Sequence, residues 1–200
     1  MKLIIVTGRI ATGKSIILEQ FNYLGAMTFS SDKMVNDIYT SDNEFYLKIA
    51  ELYPQVVENQ KINKLKLSSL AFKSNKVLNT LEKIIYPKLM KKRETIIRNC
   101  FLKSINRLVF EIPLLFEKKI NIDPDVIVTT TCNKQLQKQR YLKRKNTDLL
   151  KLSMINNRFI EESIRFKKSD CIINTGNGKN YTLSVLKRIL KKYERNNFRY

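Results

Sequence analysis

The sequence predicts an α/β protein: a five-stranded parallel sheet layered between helices. Three observations predict it. Five short apolar runs, rich in β-branched residues, recur along the 200 residues with helical patterns between them. A glycine-framed loop joins the first run to the first helical pattern. A long helical stretch, about 33 to 105, parts the second run from the third and exceeds what one crossover needs.

The first strand is Leu3-Ile4-Ile5-Val6, and the loop after it runs from Gly8 to Ser15. Gly8-Arg9-Ile10-Ala11-Thr12-Gly13-Lys14-Ser15 fits the phosphate-loop pattern G-x-x-x-x-G-K-[ST]. Glycines at both ends let successive N–H groups turn into one concave nest beside a helix N-terminus, which suits the phosphates of a nucleotide. In that pattern Lys14 reaches the β- and γ-phosphates, and the Ser15 hydroxyl ligates Mg²⁺. Ile17, Phe21 and Leu24 then recur at helical spacing, with Gly25 as a C-cap. Strand, loop and helix together predict the three-layer α/β/α P-loop NTPase fold, with ATP and Mg²⁺ as cofactors.

Ala26-Met27-Thr28-Phe29 is the second strand, delivering Ser30-Ser31-Asp32 at its carboxyl end, where α/β sheets bind ligands. Asp32 is a candidate base or orienter for an acceptor hydroxyl, or the N-cap of the next helix. Helical stripes follow: Val35, Ile38 and Tyr39; Phe45, Ile49 and Leu52, broken by Pro54; Leu67, Leu70 and Ala71; Leu78, Leu81 and Ile85. Pro87 is placed at the start of a further helix carrying Leu89, Ile96, Ile97 and Phe101. The expected division is a nucleotide-binding core, 1–32 and 106–200, and a helical acceptor region, 33–105.

Leu108-Val109-Phe110-Glu111-Ile112 is the third strand, and Glu111 stands where a Walker-B carboxylate helps hold Mg²⁺. Pro113 ends the ladder, and Leu114 to Glu117 form a loop. The fourth strand spans Asp125 to Thr130 and a basic helix begins near Asn133. Arg140 and Arg144, four apart, would share one face, either of a lid spanning about 133–165 that closes on the triphosphate or of a solvated cationic helix. Arg158 and Arg165 are further lid candidates, and Asn146-Thr147-Asp148 is a polar turn. Cys171-Ile172-Ile173-Asn174 closes the sheet, followed by Thr175-Gly176-Asn177-Gly178, a plain turn or a border to the nucleotide base. Leu183, Leu186 and Leu190 stripe the last helix.

Composition narrows the chemistry. The 43% hydrophobic share is ordinary for a globular protein, and no apolar run is long enough to span a bilayer. The chain goes straight into a strand with no signal-peptide layout, so a cytoplasmic protein is expected. Cys100, Cys132 and Cys171 lack metal-type spacing and read as free thiols. Histidine is absent, which removes every histidine-based acid/base scheme and makes any general base a carboxylate. The +20 charge suits nucleic acid, small polyanionic substrates or a dispersed compositional bias; the dispersed basic residues favour the last. Small-molecule partners and a monomer are expected, with a weak homo-oligomer as the alternative.

Beyond the phosphate loop, the chain resembles the dephospho-coenzyme A kinase family. Glu111-Ile112-Pro113-Leu114-Leu115-Phe116-Glu117 is similar to that family's D-x-P-L-L-F-E stretch. Ile62-Asn63-Lys64, Leu67, Ala71-Phe72, Leu81-Glu82 and Tyr86-Pro87 follow the order of its helical acceptor domain, and Asp170 to Asn174 its closing strand. The resemblance implies ATP-dependent phosphorylation of the ribose 3′-hydroxyl of dephospho-coenzyme A, the last step of coenzyme A synthesis. It implies Asp32 as base, with Lys14 and Arg140 stabilising the transferring phosphoryl group. It implies nucleotide contacts from Gly8, Ala11, Thr12, Gly13, Lys14, Ser15, Ile16 and Arg144, acceptor contacts from Asp32, Tyr86, Pro87 and Leu114, and metal contacts from Ser15 and Glu111. This chain departs from the family at Ser30 and Glu111, each for an aspartate, Tyr86 for a histidine, Arg9 for a second loop glycine and Lys145 for an aspartate. The competing readings are another small P-loop kinase, acting on a nucleoside, nucleotide or hydroxylated metabolite, and a basic nucleic-acid-binding protein with a vestigial ATP site.

Overall fold

The computed structural model describes residues 1–118, 120–144 and 147–195; Lys145 and Asn146 of the sequence reading lie outside them. In chain order the elements are β1 (Lys2–Thr7), α1 (Lys14–Tyr23), β2 (Met27–Ser30), α2 (Ser31–Ser41), α3 (Asn43–Leu52), a hairpin of Val57–Glu58 with Lys61–Ile62, α4 (Lys64–Lys73), α5 (Asn75–Leu102), β3 (Arg107–Glu111), β4 (Val126–Thr131), α6 (Lys134–Leu142), α7 (Leu149–Asn156), α8 (Glu162–Lys167), β5 (Cys171–Asn174) and α9 (Lys179–Arg195). They form two compact units: a sheet unit, Met1–Ser30 with the chain from Ser104 onward, and a helical unit, Ser31–Lys103.

In the sheet unit the five strands pair in the order β2-β3-β1-β4-β5, all parallel. Five consecutive residues of β1, Leu3 to Thr7, are buried, as expected of a central parallel strand. Register aligns Ile4 with Val109 and Val126. With Val6, Val128 and Ile173 they pack against Ile17, Leu18 and Phe21 of α1 and Leu186, Ile189 and Leu190 of α9. The intervening residues Leu3, Ile5, Leu108 and Phe110 point the other way and are buried as well, so both faces of the sheet are covered. All five strands lie within one residue of their predicted bounds.

The helical unit is built on α5, against which α2 and α4 pack. Three helix starts are capped by side chains: Asp42 accepts from Phe45 N–H, Asn63 from Leu65 and Lys66 N–H, and Ser74 from Val77 N–H. Phe45, Ile49, Val56, Ile62, Leu67, Leu81 and Leu89 are buried within it. Two expectations fail here. Pro87 does not open a helix; it lies inside the 28-residue α5. Proline costs α5 one bond, to the Lys83 carbonyl, and both residues are exposed, where water can replace the lost donor. Nor does Asp32 cap α2: the helix begins at Ser31, putting Asp32 inside its first turn with an exposed side chain. The hairpin was not foreseen, because Asn59 and Gln60 make its turn at positive φ (48° and 59°) with no glycine to announce it.

Candidate nucleotide-binding and phosphoryl-transfer site

The phosphate loop leaves β1 and enters α1 with the geometry its glycines require. Gly8 has φ 144°, and a Cβ there would lie 2.5 Å from Thr130 Oγ1 and 2.6 Å from the Thr130 carbonyl oxygen. Gly13 has φ 90°, and its added Cβ would meet Thr175 Oγ1 at 2.8 Å. Between them Ala11 also adopts a left-handed conformation, φ 59°, which costs an alanine about 1–2 kcal/mol. Strain of this kind persists where the surroundings enforce it, and here three threonines do so. Thr12 Oγ1 donates to the Arg9 carbonyl at 2.8 Å and lies 2.8 Å from Thr130 Oγ1. Thr175 Oγ1 donates to the Thr12 carbonyl at 2.8 Å. Gln137 of α6 donates to the Ile10 carbonyl at 2.8 Å.

The Thr12 side chain is thus committed to the scaffold, leaving its main chain for a ligand. Ile16 is half-buried and gives its N–H to the Gly13 carbonyl. Gly13 caps α1 without a side-chain bond, so the positive end of the helix faces no built-in anion. Lys14 is buried, and its Nζ donates to the Gly8 and Arg9 carbonyls at 3.1 and 3.0 Å. The same ammonium is 4.0 Å from Glu111 Oε1. Glu111, buried at the end of β3, accepts from Ser30 Oγ of the adjoining β2 at 2.8 Å. Ser30 therefore holds the acid in place and adds no charge of its own. The exposed Ser15 hydroxyl and the Glu111 carboxylate are hard oxygen donors of the kind Mg²⁺ takes alongside water and phosphate. No group of three histidine, cysteine, aspartate or glutamate side chains among the described residues could cage a metal by itself.

The arginines of the expected lid separate. Arg140 is half-buried and docks on Thr175, Nη1 donating to its hydroxyl at 2.7 Å and Nη2 to its carbonyl at 3.0 Å. It thereby touches the same Thr175 that supports the loop, and is no solvated cation. Arg144 does not share a helix face with Arg140. α6 ends at Leu142 and Arg144 sits in the exposed turn beyond, its N–H bonded to the Tyr141 carbonyl. Thr147 and Asp148 form the described part of the expected polar turn, and Asp148 caps α7. Arg165 lies inside the sheet unit rather than on an exposed lid face. It is 1% exposed, ion-paired to Glu117, bonded to Thr7 Oγ1 at 3.3 Å and set over the Phe159 ring at 5.1 Å. Burial lowers its pKa, and Glu117 opposes the shift. Glu117 also accepts from Ile160 N–H, and the Ile160 carbonyl receives Arg9 Nη2. Glu117 thus anchors the chain returning from α7 beside the phosphate loop.

Sequence reasoning missed Thr130, Thr175 and the Glu117–Arg165 pair. The threonine-rich end of β4, Thr129-Thr130-Thr131, was the available signal. Thr175 lies in a 3₁₀ turn after β5 and supports the loop from there. The turn is more than a plain one, because its first residue braces the phosphate loop. Leu114 is half-buried in the turn after β3. In the helical unit Tyr86 is half-buried, while Pro87 joins Lys83, Lys91, Ser41 and Ile96 in lining an open cleft of about 1160 Å³. No described helix is long and apolar enough to cross a membrane.

A family model described as dephospho-CoA kinase matches residues 2–180. A dephospho-CoA kinase of Bartonella quintana (strain Toulouse) is 35% identical over 195 residues, 96% of this chain and all of that protein. Among solved structures, a Thermus thermophilus protein superposes with TM-score 0.76 at 22% identity, covering 96% of this chain and 97% of that one. The dephospho-CoA kinase of Campylobacter jejuni does so with TM-score 0.62 at 22% identity and the same coverage. The two structural likenesses concern the fold.

Proposed function

The chain belongs to the dephospho-CoA kinase family and phosphorylates dephospho-CoA, and from that premise we propose how its residues divide the reaction. ATP lies with its phosphates in the amide nest of Gly8 to Ser15. Lys14 exchanges the Gly8 and Arg9 carbonyls for the β- and γ-phosphate oxygens, a short move for a side chain already inside the loop. Mg²⁺ would be held by Ser15 and, through water, by Glu111, where it would offset charge between the two phosphates. Arg140, steadied by Thr175, faces charge that develops during transfer, and Arg144 contributes from the turn beyond α6. Residues 31–103 hold the acceptor, with Tyr86, Pro87 and Leu114 as contacts.

Asp32 aligns the ribose 3′-hydroxyl and takes its proton late, because the transition state is loose and positioning supplies most of the rate. The observation that carries this reading is the Lys14–Glu111–Ser30 chain of contacts at the carboxyl ends of three neighbouring strands. Asp32 follows two residues later. An acceptor assay tests it: dephospho-CoA with ATP and Mg²⁺ should yield coenzyme A and ADP, identified by mass. Turnover of a nucleoside monophosphate instead would assign the acceptor region to another substrate. We place the reaction in the cytoplasm, as the closing step of coenzyme A synthesis, carried out by a monomer.

A further inference from the structure

Among the described residues two arginines are buried almost completely, and they are treated differently. Arg165 meets Glu117. Arg93, in α5, is 4% exposed, and among the described residues no carboxylate pairs with it. Its Nη2 donates to Ser31 Oγ at 3.1 Å. Its Nε and Nη1 are buried with no hydrogen-bond partner. A desolvated guanidinium with two empty donors is costly, and a fold that needed only volume there would do better with methionine or leucine. Burial lowers the Arg93 pKa, with the nearby Tyr86 opposing the shift. Tyr86 lies seven residues earlier, two turns along the same face of α5.

The guanidinium is held at a particular place. Ser31 is the first residue of α2, a helix of 11 residues, so Arg93 adds its charge to the positive end of that helix dipole. Asp32 comes next in the chain. We infer that Arg93 and the first turn of α2 form a subsite for an anionic oxygen of the acceptor, a phosphate of dephospho-CoA. The inference rests on reading residues 31–103 as the acceptor region. Both empty donors are covered in the ligand-free chain, so acceptor entry has to part α2 from α5 locally. The ion pair joining these elements, Lys92 with Asp37, is exposed, and a contact of that kind yields easily.

The test is calorimetric titration of the full-length wild type, Arg93→Met and Arg93→Lys with dephospho-CoA, adenosine, inorganic phosphate and ATP, together with melting temperatures. Arg93→Met should weaken dephospho-CoA binding roughly tenfold to a hundredfold, the worth of charge-assisted hydrogen bonds, and Arg93→Lys should recover part of it. Adenosine and ATP affinities should not change, and Arg93→Met should melt at the same or a higher temperature. Unaltered dephospho-CoA affinity in both variants overturns the inference. So does a lower melting temperature with ATP and dephospho-CoA weakened together, which would make Arg93 a strut. Inorganic phosphate binding the wild type as tightly as dephospho-CoA would likewise overturn it, since the subsite would then be a general anion hole. Asp32→Asn, titrated alongside, should still bind dephospho-CoA and should lose roughly 10²-fold in kcat. If it turns over normally, the acceptor-region reading falls, whatever the Arg93 titrations report.

Discussion

Each unit is held together internally by a different kind of force. In the sheet unit the functional loop is fixed by buried hydroxyls, main-chain bonds and buried ion pairs: Thr12, Thr130 and Thr175 around the loop, Lys14 with Glu111 inside it and Glu117 with Arg165 behind it. In the helical unit the charged ties lie nearer water: Lys88 with Asp42 and Glu44, Lys92 with Asp37, and Lys66 with Glu58. Buried bonds are insensitive to salt and intolerant of change, whereas surface pairs are each worth about 0–1 kcal/mol and are screened. The difference suits the proposed division of labour, in which a rigid cradle would serve a polyphosphate that is the same in every turnover and adjustable elements would serve a long, flexible acceptor.

Five substitutions break or sharpen that comparison, in falling order of effect. Lys14→Ala should reduce turnover by about 10²–10³-fold or more, because it removes a charge from the transferring phosphoryl group. Near-normal steady-state rates would end the phosphate-loop argument. Asp32→Asn should lower kcat by roughly 10²-fold while ATP affinity and melting temperature hold. A change in stability alone would return Asp32 to a purely structural place in α2.

Glu117→Ala leaves Arg165 buried and unpaired and should cost about 3–5 kcal/mol in urea unfolding. Asp37→Ala, across from Lys92, should cost under about 1 kcal/mol and become neutral at high salt. Equal costs would erase the contrast between the units. The smallest effect concerns pH. Burial pulls the Asp42 pKa upward, but the Phe45 N–H and Lys88 outweigh it and leave the pKa below the ordinary carboxylate value. A lowered folded pKa means stabilisation that is present above the usual carboxylate pKa and lost as pH falls through the folded one. Asp42→Asn should therefore lower stability slightly at neutral pH and converge with the wild type at acid pH, which flattens the acid limb of the stability curve. An unchanged acid limb would remove Asp42 from the account.

What could be read in the sequence was what is local. The strands announce themselves because both faces of the sheet are buried, which makes each strand an unbroken apolar run. The phosphate loop is legible because its geometry needs glycines at set positions within eight residues. The Thr130–Thr12 and Thr175–Thr12 bonds join residues 118 and 163 apart, and no spacing encodes them. Arg93 is hidden for another reason: it follows Lys91-Lys92 in a run that reads as a solvated cationic face, and only packing turns one of the three inward. Pro87 misled because a proline that sits on the exposed side of a long helix looks, in sequence, like a proline at a helix start.

The central claim is that the sheet unit takes the nucleotide and the helical unit the acceptor. Hydrogen exchange measured with each ligand alone tests it most directly. A non-hydrolysable ATP analogue with Mg²⁺ should protect amides of residues 8–16 and leave α2 and α5 as they were. Dephospho-CoA alone should protect the first turn of α2 and the middle of α5. Dephospho-CoA protecting only residues 8–16, with α2 and α5 unchanged, would contradict the account.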